Sequence, residues 1–195
     1  MKKILLTFAL PDEVVPVSIS GFETRNCITG VSKPYAAARL ARAIVDERPD
    51  IIINIGSAGS MPGRAQVGDI FVCNRYLDRD IMRQSFTSIS PEVLPTIPEE
   101  AKAFHSVYMG TPCQRFFTVN TGDDFVTADQ PIDGDVVDME GFAMALVASE
   151  FGIPFFSVKY VTDIIGQNSM QIWEERLAQA RRDLTEYFKS VAERF

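Results

Sequence analysis

The sequence predicts an α/β fold in one domain, residues 1–195, with helices packed on a mostly parallel sheet. Three observations predict it. Short β-branched or aromatic runs alternate with apolar stripes at helical spacing. Most connections between them are short, with no internal repeat, low-complexity tract or linker. The length of 195 residues, 46% hydrophobic and 23% charged, suits one substantial core.

Taken in order, residues 3–10 read as a buried first strand closed by Pro11. This start has the charge and apolar run of a secretory signal. However, Pro11-Asp12-Glu13 stands where small residues and a cleavage site would follow, so a strand and a cytoplasmic protein are expected. Residues 14–19 carry a short alternating run ended by Gly21. Ser32 stands as N-cap before Lys33-Pro34, and Ala37, Leu40, Ala41 and Ile44 follow at helical spacing until Pro49. Ile51-Ile52-Ile53-Asn54-Ile55 is a strand that breaks into a glycine loop over residues 56–60. Val67-Gly68-Asp69 turns into a strand at residues 70–74. Strand, helix, strand with short connections suggests a parallel unit with a right-handed crossover.

Residues 76–113, punctuated by Pro91, Pro95, Pro98 and Pro112, are the least regular and read as a lid or binding loop. Pro98-Glu99-Glu100-Ala101 opens a short helix within them. A strand at residues 116–119 runs toward Gly122-Asp123-Asp124-Phe125. Residues 136–139 lead into a helix near 140–151, closed by Gly152. A buried strand at 155–161 ends in Thr162-Asp163. The last helix, 170–194, carries the stripe Trp173, Leu177, Ala180, Leu184, Phe188 and Val191, read as core or subunit contact.

Composition excludes several classes of function. A net charge of −7 disfavours nucleic acid and anionic membranes as partners, since both need clustered Lys and Arg. No apolar run approaches the roughly 18 residues of a membrane span. Cys27, Cys73 and Cys113 are far apart and read as packed thiols, not a disulfide framework or zinc site. His105 is the only histidine, which removes multi-histidine metal sites; it reads as a surface or lid residue. Asp78 and Asp80 lack further metal ligands. Proton transfer in an enzyme of this composition falls to carboxylates.

In open α/β sheets ligands bind beyond the carboxyl ends of strands. Glu13, Gly56-Ser57-Ala58-Gly59, Asp138-Met139-Glu140 and Thr162-Asp163 all occupy such positions. The glycines let a ligand approach main-chain N–H groups, in a pattern that is neither a dinucleotide fingerprint nor a P-loop. Asp163 follows a strongly apolar strand, where desolvation favours a protonated carboxyl and suits a general acid. Each residue also has a plainer reading: a tight turn, an N-cap at Asp163, an anion at a helix start for Glu140, a solvated turn residue at Glu13.

Taken together, the motifs resemble the nucleoside phosphorylase and nucleosidase superfamily, and within it the 5′-methylthioadenosine/S-adenosylhomocysteine nucleosidase branch. Ile52-Ile53-Asn54-Ile55-Gly56-Ser57-Ala58-Gly59 followed by Val67-Gly68-Asp69-Ile70 is similar to the family's glycine motif. Val137-Asp138-Met139-Glu140-Gly141 resembles its ribose-binding motif, and residues 152–163 resemble the strand carrying its catalytic aspartate. Weaker echoes lie at residues 9–14, 30–38, 75–80 and 122–125, in the family's order.

The resemblance implies a three-layer α/β/α sandwich around a twisted mixed sheet. It implies that Asp163 protonates the purine at N7 while Glu13 orients and deprotonates water. Glu140 and Asp138 would belong to the ribose motif, with Met139 packed on the sugar; Ser57, Ala58 and Gly59 would lie near the nucleophile. Phe125 would stack on the base, the Val126 main chain would bond its edge, and Thr162 would orient Asp163. The implied ligand is a small nucleoside and the implied assembly a homo-oligomer, a dimer favoured. No cofactor or metal is expected, only inorganic phosphate as co-substrate for a phosphorylase.

This chain departs from the pattern in length, in an apparent lost hairpin between Glu13 and Gly30, in Thr162 for serine and in Lys159 for arginine. Arg25, Lys33, Arg39 and Arg75 could meet phosphate, but none sits in a phosphate motif, so hydrolysis is favoured over phosphorolysis. The third reading is a nucleoside-binding protein without turnover.

Overall fold

The computed structural model describes residues 1–84, 88–128, 131–167 and 169–194. Strand β1 (Lys2–Phe8) leads through a 3-10 turn (Pro11–Glu13) to β2 (Phe22–Ile28) and helix α1 (Lys33–Glu47). Strands β3 (Ile51–Ser60) and β4 (Ile70–Asp78) follow, then the single turn α2 (Arg79–Met82). The irregular stretch holds β5 (Glu92–Val93), a 3-10 helix (Glu99–Ala103), β6 (Ser106–Tyr108) and β7 (Thr111–Cys113), its residues 85–87 lying outside the described residues. The chain continues through β8 (Phe117–Thr121), β9 (Val136–Asp138), α3 (Gly141–Glu150), β10 (Phe155–Ile164) and α4 (Ser169–Ala192).

The α/β class holds. The sheet is mixed, with its longest ladders parallel: β3 with β10, β1 with β2, and β4 with β8. Five strands form a closed circuit, because β3 pairs β10 and β9, β9 pairs β8, β8 pairs β4, and β4 returns to β10. The centre is therefore barrel-like, with β1 and β2 continuing from β3 as a flap.

Alternation along the strands sorts the core into two sides. Ile4, Leu6, Ile51, Ile53, Phe156 and Val158 pack with Ala180, Leu184, Phe188 and Val191 of α4. Leu5, Ile52 and Phe155 pack with Leu40 and Ile44 of α1 and with Met144 and Ala148 of α3. The β-branched and aromatic content of these strands fits a pleated surface buried on both faces.

Several expectations need correction. Residues 14–19 form no strand; the single strand between Glu13 and Gly30 is β2, which lies parallel to β1. Residues 56–60 are not a loop, for β3 runs on through them, flanked by β10 and β9. Ser32 makes no side-chain cap on α1. His105 is buried, with its ring 5.5 Å from that of Tyr187 and its Nδ1 2.7 Å from Arg194. Asp78 and Asp80 both bind the Lys33 ammonium. Gly152, at φ +66°, does close α3, a conformation that suits glycine. Among the described residues no helix is long and apolar enough to cross a membrane.

Candidate active site

A cleft of about 410 Å³ opens where the second half of β3 meets the ends of β1, β9 and β10. Glu13, Asp138, Glu140 and Asp163, spread over 150 residues of sequence, all line it. So do Ser57, Ala58 and Gly59 of β3, Phe125 and Val126 from the segment after β8, and Met139. Thr162, the remaining expected residue, lies just behind the wall.

Glu13 ends the 3-10 turn that Pro11 opens, and it is buried. Its Oε1 accepts from the Ser57 N–H at 2.9 Å and the Ser57 hydroxyl at 2.7 Å. Its Oε2 accepts from the Leu10 N–H at 3.2 Å. Gly56 makes this approach possible, because a Cβ there would stand 3.3 Å from Glu13 Oε1.

Asp163 meets β3 in the same way. A Cβ on Gly59 would stand 3.1 Å from Asp163 Oδ2. The β3–β10 register slips between Val161 and Asp163, a bulge that sets Asp163 opposite Gly59. The Thr162 hydroxyl donates to Asp163 Oδ1 at 2.9 Å, so threonine supplies the orienting bond expected of this position.

Glu140 is buried and its Oε1 accepts from the Ser32 N–H at 2.9 Å. Ser32 aims that N–H from φ +89°, a backbone region natural to glycine and strained for serine. Burial, then the neighbouring Asp138 carboxylate, push the Glu140 pKa up from 4.5 to about 7, while Lys159 pulls it down.

Asp138 also lines the cleft, and its carboxylate is held from inside the protein. Its Oδ1 accepts from Thr121 at 2.6 Å, and its Oδ2 from the Gly141 N–H at 2.9 Å and from Lys159 at 2.8 Å. These internal bonds anchor the turn that carries Met139 and Glu140. Burial opposes the Lys159 charge, but Asp138 and Glu140 outweigh it and its pKa is raised.

Sequence reasoning missed three site residues. Lys159 was visible as a lysine inside an apolar strand, where a buried charge requires a partner. Arg79 carried no such signal; its guanidinium bonds Asp124 and the carbonyls of Asn120, Gly122 and Asp138, fixing the segment that presents Phe125. Trp173, expected as core or subunit contact, lies in the cleft instead. Its Nε1 donates to Ser57 Oγ at 2.8 Å, and its ring meets Phe125 edge-on at 6.2 Å.

The charges on the cleft are lopsided. Arg79 and Lys159 are its only cations among the described residues, and both are bound to protein acceptors, against six acidic side chains. Of the four cations considered for phosphate, Arg25 pairs with Glu23, Lys33 with Asp78, and Arg75 with Glu92, while Arg39 lies over the Tyr35 ring; none lines the cleft.

A sheet that closes on itself, with carboxylates gathered around a hollow of this size, defines a class that comparison with known proteins makes specific. The family model described as "Phosphorylase superfamily" matches residues 23–193, and the chain belongs to that superfamily. It is similar to a 5′-methylthioadenosine/S-adenosylhomocysteine nucleosidase of Marinomonas sp. (strain MWYL1), 29% identical over 183 residues, covering 83% of this chain and 78% of the relative.

Among solved structures it is similar to the Helicobacter pylori 5′-methylthioadenosine/S-adenosylhomocysteine nucleosidase bound to butyl-thio-DADMe-Immucillin-A. That match has a TM-score of 0.81, 15% identity, and coverage of 100% of this chain and 99% of the other. The native futalosine hydrolase of Helicobacter pylori strain 26695 aligns with a TM-score of 0.80 and 15% identity, over 100% and 98% of the two chains. At these identities the likeness is one of fold.

Proposed function

We propose that this protein is a nucleosidase that hydrolyses the N-glycosidic bond of purine nucleosides of the 5′-methylthioadenosine/S-adenosylhomocysteine type. The observation that carries the reading is the placement of Glu13 and Asp163 over two glycines of one strand, with the cleft open to both. Glu13, held by Ser57, takes a proton from water as its oxygen bonds to C1′. Asp163, protonated and oriented by Thr162, gives its proton to N7 as the C1′–N9 bond breaks. The electron pair of that bond leaves with the base. Glu140 binds the ribose hydroxyls beside Met139, and negative charge near the sugar favours the oxocarbenium-like transition state. Phe125 packs on the base, the Val126 main chain bonds its edge, and Ala58 and Gly59 floor the site. Asp138 and Lys159 act behind Glu140.

The scarcity of cations available on the cleft among the described residues supports water over phosphate as nucleophile. The nucleosidase named among the relatives supports the same class. The reading extends to one domain over residues 1–195, a cytoplasmic homo-oligomer with a dimer favoured, and no cofactor. Val31, exposed at the cleft, and Tyr35, exposed in the first turn of α1, support the oligomer. The three-layer α/β/α description belongs here too: α1 and α3 on one side and α4 on the other support it, leaving aside the closed strand circuit.

The test is base release from methylthioadenosine, S-adenosylhomocysteine, adenosine, inosine, uridine and futalosine, with and without phosphate. Release from a methylthioadenosine-type substrate without phosphate is expected, and Asp163→Asn should lose rate by orders of magnitude. Strict phosphate dependence would establish a phosphorylase. Tight binding with no release of base, unchanged in Asp163→Asn, would establish a binding protein.

A further inference from the structure

We infer that Trp173 is a positioning residue for the nucleophile: its indole N–H sets the Ser57 hydroxyl, and through it the Glu13 carboxylate, in the orientation that receives water. The kinetic half of this role rests on the nucleosidase reading; the hydrogen bonds stand apart from it.

An indole N–H can only donate, so at 2.8 Å Ser57 Oγ must be its acceptor. The single hydroxyl proton of Ser57 is thereby directed to its other neighbour, Glu13 Oε1, at 2.7 Å. That oxygen already takes the Ser57 N–H, whereas among the described residues Oε2 takes only the longer bond from Leu10. Oε1 is thus held as the fixed end of the carboxylate, and Oε2 keeps the greater capacity to accept a proton. Without the indole, the hydroxyl could rotate away and leave Glu13 with one donor fewer. Trp173 reaches this chain from the first turns of α4, 116 residues from Ser57, so it ties helix to strand at the point of chemistry. Its ring also packs edge-on against Phe125, which holds the indole in place.

Trp173 is the only tryptophan, so ¹⁵N-indole-labelled protein shows one side-chain indole resonance. Ser57→Ala should move that resonance and speed its exchange with water about tenfold. Trp173→Phe should lower kcat about tenfold with KM changed less than threefold. The double variant should be no slower than Ser57→Ala alone, because both changes remove the same coupling. Should Trp173→Phe fold poorly, 3-benzothienylalanine at position 173 keeps the ring shape, lacks the N–H, and should show the same fall in kcat. An indole resonance blind to Ser57→Ala, additive losses in the double variant, or full kcat with benzothienylalanine would each overturn the role. Wild-type protein that releases no base from any nucleoside would overturn the nucleosidase reading and the kinetic role together, while the indole resonance still decides the contact with Ser57.

Discussion

Replacing Glu140 by glutamine removes a buried charge but keeps the side-chain shape and an oxygen for the Ser32 N–H. In the native protein burial, reinforced by Asp138, lifts the Glu140 pKa from 4.5 to about 7. Between those two values the folded state holds a proton that the unfolded chain has released. The contribution of Glu140 to stability is therefore most favourable below the unfolded pKa and declines as pH rises through the folded one. At about 1.4 kcal/mol per pH unit, complete ionisation costs the fold on the order of 3 kcal/mol. Glu140→Gln escapes that cost, so its stability relative to wild type should climb by up to about 3 kcal/mol between pH 4.5 and pH 8. Urea unfolding of both proteins across this range measures it, and the difference isolates Glu140 together with the groups coupled to it, Asp138, Lys159 and Glu13. A constant offset from the new amide leaves the slope untouched. A flat difference from pH 5 to pH 8 would refute the reasoning.

The same titration should raise KM as pH falls below about 7, since ribose hydroxyls donate best to the ionised carboxylate; an unchanged KM from pH 8 to pH 6 argues against that contact. Gly59→Ala sets a methyl 3.1 Å from Asp163 Oδ2 and should cost about tenfold in kcat while circular dichroism stays native. Ser32→Gly relieves strain of roughly 1–3 kcal/mol at φ +89° against a glycine entropy cost of about 0.5–1 kcal/mol. Its urea midpoint should rise, and a fall would contradict the strain. Lys159→Met strands the Asp138 carboxylate in the interior and should destabilise by about 3–5 kcal/mol, read from the same unfolding curves.

What could be read from the sequence was what burial writes into it. β3, β10, α1, α3 and α4 have long apolar signatures because each is packed on one or both faces. β2 escaped because Phe22–Ile28 is an edge strand with polar Thr24, Arg25 and Asn26, held to β1 by backbone bonds that leave no side-chain pattern. The glycines of β3 were taken for a loop because glycine weakens an isolated strand; neighbours on both sides keep this one extended. Four of the six acidic residues on the cleft, Glu13, Asp138, Glu140 and Asp163, were found, since each stands at or just past the end of a strand. What else binds them was not legible: Asp138 pairs with Lys159, 21 residues further along and brought to it only by the fold.

The bulge in β10 is the step from topology to chemistry. Val161 lies opposite Ala58, so an unbroken ladder would set Thr162, not Asp163, opposite Gly59. A slip of one residue exchanges the two faces of a strand, and the acid would then point away from the position it holds. The extra residue at 162 restores the acid to Gly59 and leaves the threonine hydroxyl beside it as an orienting donor. Gly56 and Gly59 are three positions apart and would face opposite sides of a flat strand, yet both border the one cleft. A β3 that leaves β1 for β9 within its own length, inside a closed circuit, is what brings both glycines to the same hollow. The pairing of acid and base thus depends on how the circuit closes, and a short motif shows its residues without showing that closure.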